Sequence, residues 1–69
     1  MKMERPEELG KWIRTERKRL GVTQRELALA AGTGLRWIVD LEKGKPTCEV
    51  GKVLAVVGAL GHVLEVKKR

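Results

Sequence analysis

Apolar residues recur at helical spacing along the first twenty residues of the chain. The spacing predicts a helix from Pro6 to about Leu20, because proline suits a first helical turn, where a missing backbone N–H loses no partner. The predicted buried face is formed by Leu9, Ile13 and Leu20, with Trp12 beside it. Arg17 falls on this same face, where an unpaired guanidinium would be costly to bury. It must therefore find a partner or extend outward into solvent.

The stretch from Thr23 to Gly44 predicts two short helices joined by a tight turn. Thr23 and Glu26 have the spacing of a capping box, in which two side chains bond backbone N–H groups reciprocally. The apolar stripe of the first helix is Leu27, Ala28, Ala30 and Ala31. After the turn at Gly32 to Gly34, the second helix carries Leu35, Ile38, Leu41 and Glu42 at helical spacing. Two helices in such close succession are typical of a helix-turn-helix, whose second helix enters the DNA major groove.

A third apolar segment predicts a helix from Cys48 to Leu60, with Thr47 as its cap. The predicted core-facing stripe is Val50, Val53, Leu54, Val57 and Leu60. The opposite side is also apolar and consists of Ala55, Val56, Gly58 and Ala59. Because one small domain cannot bury a helix on all sides, we expect a partner surface to cover it.

The chain ends in a β-branched segment, residues 62–67, that predicts a short strand. A lone strand has unpaired backbone groups on both edges, so it must pair with a second copy, pair with another protein, or stay disordered. We therefore divide the chain into a DNA-binding domain over 1–61, with its helix-turn-helix at 23–43, and a dimerisation segment over 62–69. The predicted dimer contacts are Val56, Ala59, Val63, Leu64 and Val66.

Charge narrows the choice of partner. Fifteen Lys and Arg residues against nine Asp and Glu give a formal charge of +6, which favours a polyanion such as nucleic acid over a membrane surface. One cysteine and one histidine exclude an internal disulfide and a zinc site, so dimerisation remains as the way to stabilise so small a core.

No nucleophile–base pair or phosphate-binding loop is found, and we predict neither a cofactor nor an enzyme. Without a signal peptide or membrane span, the protein is expected in the cytoplasm.

The residues of the central stretch resemble the Cro/C1-type (XRE) helix-turn-helix family over positions 9 to 61. The resemblance is carried by Leu20-Gly21-Val22-Thr23-Gln24, Glu26-Leu27-Ala28, Gly32, Ile38, Leu41-Glu42 and Gly44. The run DLEKGKPT, followed by an apolar helix, Leu60-Gly61 and a terminal strand, is similar to the HipB-like antitoxins. This resemblance implies a mostly α fold of four to five helices, with the C-terminal strand pairing across a dimer. It also implies that Arg17 pairs with Glu42 at the end of the recognition helix.

The predicted DNA contacts follow from the outward positions of the second helix and from the resemblance. They are Gln24, Gly34, Leu35, Arg36, Val39, Asp40, Lys43 and Lys45. Arg36 is the best candidate to recognise a base, since a guanidinium can bond O6 and N7 of guanine together. Leu35 and Val39 can contact thymine methyl groups, and Asp40 can accept from cytosine or hold Arg36. The resemblance assigns Gln24 a phosphate contact, and Lys43 and Lys45 form a basic loop suited to the DNA backbone.

Several interpretations stay open at this point. The leading one is a homodimeric repressor of an inverted-repeat operator on double-stranded DNA, as the antitoxin of an operon that it autoregulates. Alternatives are a phage-type repressor and a protein-interaction module that restrains a toxin such as a HipA-type kinase. Trp37 is expected to cover the core edge or to contact a phosphate, and a reactive thiol at Cys48 is disfavoured because no base or second cysteine accompanies it.

Overall fold

Four helices form the part of the chain that the structure, a computed structural model, describes, namely residues 2–69. They are α1 (Pro6–Arg19), α2 (Gln24–Ala31), α3 (Leu35–Glu42) and α4 (Val50–Ala59). Helix α2 packs against both α3 and α4, while α1 packs against α3. The predicted first domain begins at Met1, which lies outside the described residues.

Local signals set the ends of the first two helices as predicted. Pro6 occupies the first turn of α1, and the last turn of that helix is basic, which complements the helix dipole. The capping box of α2 is confirmed, because the Glu26 N–H donates to Thr23 Oγ1 over 3.0 Å and the Thr23 N–H donates to Glu26 Oε1 over 2.9 Å. These bonds lower the pKa of Glu26. Gly32 ends α2 with φ at 72°, a backbone conformation that glycine adopts readily.

The core draws on all four helices. Its buried apolar members are Ile13, Leu27, Ala28, Ile38, Leu41, Val53, Val56, Val57 and Leu60. Leu9, Trp12 and Ala31 are half-buried against this core. Two predicted core residues, Leu20 and Ala30, are exposed instead. Leu20 follows the last residue of α1, and Ala30 stands at the edge of the apolar stripe of α2.

Helix α4 differs from its prediction in both its start and its rotation. It begins at Val50 with Glu49 as the preceding cap residue, so the predictions of a start at Cys48 and a Thr47 cap are wrong. Val56 is 0% exposed, so the prediction that it contacts a dimer partner is wrong. Val50 and Leu54, predicted to face the core, are 71% and 49% exposed. A helix apolar on every side does not reveal its buried face from the sequence, and packing against α2 selects it here.

Residues 62–69 follow α4 and have no regular secondary structure. Among the described residues no strand is formed, so the strand predicted over 62–67 stays a prediction. The segment returns past the amino-terminal residues: Arg69 bonds Glu4, and Leu64 lines a cavity of about 400 Å³ with Met3 and Pro6. Val63, Leu64 and Val66 are all exposed.

His62 attaches this segment to α1. Its Nε2 lies 2.7 Å from Glu16 Oε2, and its ring meets Trp12 edge to face with 4.9 Å between centroids. Glu16 also accepts two bonds from the Arg19 guanidinium, over 2.7 and 2.9 Å. These donors, Arg19 first and His62 second, lower the pKa of Glu16 to about 2. His62 is therefore the link between the terminal segment and α1.

Gly10 permits the close approach of α1 to the end of α3. A Cβ at this position would lie 2.8 Å from the carbonyl oxygen of Glu42 and closer still to that of Leu41. Both obstacles are backbone atoms in a helix, which cannot move aside alone. The position therefore excludes any side chain unless the two helices separate.

We predict that Gly10→Ala destabilises the fold by about 1–3 kcal/mol, the usual range for overpacking, although alanine is the better helix former. Chemical unfolding of the variant measures the change. Gly51→Ala is the matched control, because a Cβ at that position would have no neighbour within 4 Å. Equal stability of the two variants would contradict the close approach of α1 to α3.

Candidate nucleic-acid interface

Helix α3 presents one side to the core and the other to solvent. Ile38 and Leu41 are buried, and the half-buried Trp37 packs against the core beside them. The outward side bears five of the predicted DNA contacts, namely Leu35, Arg36, Val39, Asp40 and, just past the helix end, Lys43. Gly34 precedes the helix with open space around it, so the backbone there can approach a ligand closely. The structure thus brings these predicted residues onto one surface.

Arg36 projects from this surface, and its Nε contacts the carboxylate of Asp40. The Arg36 side chain is 81% exposed, and its Nε lies 3.3 Å from Asp40 Oδ1 one turn along the helix. Lys45 Nζ lies 4.0 Å from the other Asp40 oxygen. Asp40 therefore contacts two predicted DNA-binding cations at once, while the Arg36 side chain stays largely exposed to solvent.

Glu42, the last residue of α3, forms an ion pair with Arg17 of α1. Arg17 Nε lies 2.6 Å from Glu42 Oε2 and Nη2 lies 3.0 Å from Oε1, while Nη1 donates to the carbonyl of Val22 over 2.9 Å. The pairing with Glu42 raises the pKa of Arg17. The structure thus joins the two residues that the resemblance paired, and the alternative of a solvated Arg17 does not hold, since its side chain is only 9% exposed.

Gln24 also contacts Glu42, and the sequence pattern did not predict this contact. Its Nε2 donates to Glu42 Oε1 over 3.1 Å. A side-chain amide has two N–H donors, so one bond to Glu42 leaves a second donor for a phosphate. No side-chain nitrogen or oxygen buried within residues 2–69 lacks a hydrogen-bond partner.

Lys43 and Lys45 flank Gly44 in the loop after α3, and both are exposed. Gly44 is buried with φ at 86°, and a Cβ there would lie 2.8 Å from the Cα of Glu7. The loop is thereby pressed against the first turn of α1. Its two lysines consequently lie beside the carboxyl end of α3, next to the outward surface.

Trp37 and Cys48, which the sequence also singled out, have contacts within the protein. Lys52 Nζ lies 5.7 Å from the centre of the Trp37 ring, and the Cys48 thiol donates to the carbonyl of Lys45 over 3.4 Å. Over residues 2–69 no cluster of three or more His, Cys, Asp or Glu is placed to hold a metal. None of the helices in this range has the length and apolar character needed to cross a membrane.

Comparison with known proteins shows similarity in sequence and in structure. No protein-family model matches the chain. The uncharacterized HTH-type transcriptional regulator y4mF of Sinorhizobium fredii is 49% identical to it over 61 residues, which cover 88% of this chain and 80% of that protein. Chains in solved structures of a HipA–HipB–O2–O3 complex and of a HipB–O4 20mer complex superpose with a TM-score of 0.90 at 20% identity. Each superposition covers 99% of this chain and 96% of the other, so the folds agree over nearly their full length.

We predict that removing either member of the buried pair, by Arg17→Ala or Glu42→Ala, destabilises the protein by about 3–5 kcal/mol because the remaining charge is stranded. Thermal and chemical unfolding of both single variants and the double variant measure the coupling. Arg14→Ala, which removes an exposed arginine of the same helix, is the control. Small and strictly additive losses would mean that the pair does not hold α3 in place.

Proposed function

Because the chain belongs to the HTH-type transcriptional regulators, we propose that it represses transcription by binding an inverted-repeat operator as a homodimer in the cytoplasm. The observation that carries this proposal is the outward surface of α3, where Arg36 projects beside a basic loop. The helix behind that surface is fixed by the Arg17–Glu42 pair and by Gln24. An excess of positive charge over the whole chain favours approach to DNA.

The predicted contacts divide into base recognition and backbone positioning. Arg36 bonds a guanine edge in the major groove, with Asp40 orienting it. Gln24 donates its second amide N–H to a phosphate, while Lys43 and Lys45 contact the backbone beside the end of α3. Gly34 lets the start of α3 come near the DNA because no side chain intervenes. Leu35 and Val39 contact the bases that lie next to the guanine.

A second copy of the chain covers the apolar surface that this domain leaves open. On α4 this surface consists of Val50, Leu54 and Ala59, and on the terminal segment of Val63, Leu64 and Val66. Pairing of two terminal segments about a two-fold axis satisfies their backbone groups and buries these side chains together. The same axis relates two copies of α3, which then meet major-groove faces about 34 Å apart.

An antitoxin role is the second candidate, favoured by one observation. The chain superposes over 99% of its length on a chain of the HipA–HipB–O2–O3 complex, so it has the whole fold of a protein found with HipA. In this role the protein represses its own operon and also binds a kinase toxin of the HipA type. The two functions are compatible, because exposed surface remains for the toxin outside both the outward side of α3 and the apolar surface that the second copy covers.

We predict that Arg36→Ala relaxes the preference at one base pair of each half-site and weakens binding there by about 1–3 kcal/mol, as loss of a bidentate guanine contact does. Selection from randomised duplexes at fixed salt gives the operator, and titration of its single-base variants gives the preference. Arg36 is highly exposed, so the fold is not at risk.

Lys43→Ala is the matched comparison, since Lys43 makes no ion pair within the described chain. It should weaken binding to all sequences alike and reduce the dependence of affinity on salt by about one ion. A uniform loss for Arg36→Ala, with unchanged base preference, would refute the assignment of Arg36 to base recognition.

Truncation after Gly61 is expected to shift the protein toward monomer, because it removes three exposed apolar side chains and the segment's backbone pairing. Full-site affinity should then fall far more than half-site affinity. Sedimentation with paired full-site and half-site titrations measures both effects, and Leu64→Asp with Val66→Asp repeats the test in a full-length chain. A truncated protein that stays dimeric and binds its full operator normally would leave the segment for a different protein partner.

A further inference from the structure

We propose that α3 recognises the A·T pairs of its operator through the 5-methyl groups of thymines, with Leu35 and Val39 as the contacting residues. This inference rests on the proposed function, in which α3 is the recognition helix. It adds the kind of half-site that the helix selects, namely one in which two thymines lie beside a single guanine.

The outward side of α3 is divided lengthwise into an apolar half and a charged half. At about 100° per residue, Leu35 and Val39 lie within about 40° of each other on the helix surface. Arg36 and Asp40 lie next to them, on the side occupied by their ion pair. The side presented to a groove is therefore one apolar strip beside one guanidinium.

No other side chain of α3 is available to distinguish bases by hydrogen bonds. Glu42 is 3% exposed and already bonded to Arg17 and Gln24, while Trp37 is half-buried against the core. Asp40 contacts Arg36 and Lys45. The helix contains no asparagine or glutamine, the residues that bond adenine through N6 and N7. An A·T pair can thus be recognised by this helix through its thymine methyl group, which apolar side chains contact in the major groove.

The exposure and spacing of the two residues suit this contact. Leu35 is 36% exposed and Val39 is half-buried, so each keeps free apolar surface that no part of the described chain covers. Four residues of helix advance about 6 Å along the axis, which compares with about 3.4 Å between successive bases of one strand. The two methyl groups therefore belong to base pairs one or two steps apart.

The test replaces thymine by deoxyuridine, which removes the methyl group and keeps every hydrogen-bonding atom. The operator is first selected from randomised duplexes with the full-length protein, and each thymine of a half-site is then replaced in turn. We expect about a fourfold loss of affinity at each of two positions, the effect of burying one methyl group. Leu35→Ala should abolish the loss at one position and Val39→Ala at the other.

Leu29→Ala is the matched control, because Leu29 is 84% exposed on α2 and lies outside this strip. It should leave both deoxyuridine effects unchanged, and unfolding curves establish that all three variants are folded. If the wild type tolerates deoxyuridine everywhere while base-pair changes still weaken binding, the methyl proposal is overturned and the proposed function stands. Persistence of both effects in Leu35→Ala and Val39→Ala would also overturn it. If no sequence is enriched at all, the proposed function itself fails.

Discussion

The buried pair of Arg17 and Glu42 is the interaction on which the rest of the structure depends. Isolated, α3 would not persist in water, because eight residues are too few to offset the cost of starting a helix. Its place is set by burial of Ile38 and Leu41 and by the bonds from Glu42 to α1 and to the first residue of α2. One carboxylate thus connects three helices at the point where the outward surface must be positioned.

Charge burial of this kind is weak evidence for stability, since well-packed apolar side chains often serve as well. The contribution of the pair here is to fix the orientation of α3. Two bonds between a planar guanidinium and a carboxylate define an orientation that apolar contacts do not. Gly10 acts at the same place, because its lack of a side chain brings α1 onto the carbonyl groups at the end of α3. Steric and ionic constraints therefore converge on the carboxyl end of α3 and leave the opposite side of that helix free.

Features set by neighbouring residues were predictable from the sequence pattern. A contact between distant residues was predictable only where the family resemblance supplied it, as for Arg17 and Glu42. The Thr23–Glu26 capping box and the proline start of α1 depend on residues within one turn, and both appear in the structure. The rotation of α4 depends on its packing against α2, so Val56 and Val50 exchanged their predicted places. The contact of His62 with Glu16 joins residues 46 positions apart with no local signal. The proposed pairing of the terminal segment requires atoms of a second molecule, which the residues of one chain do not specify.

Because α3 has few side chains that can recognise a base, its use as a recognition helix depends on the second exposed surface of the molecule. A single bidentate contact discriminates by about 1–3 kcal/mol, and a methyl contact contributes less than that, so one copy of α3 selects a site only weakly. Two copies held in fixed relation add their discrimination, whereas two free domains do not. The proposed repression, with so few recognising side chains on α3, therefore requires a stable dimer. The exposed apolar side chains of α4 and of the terminal segment are the surfaces that can provide it.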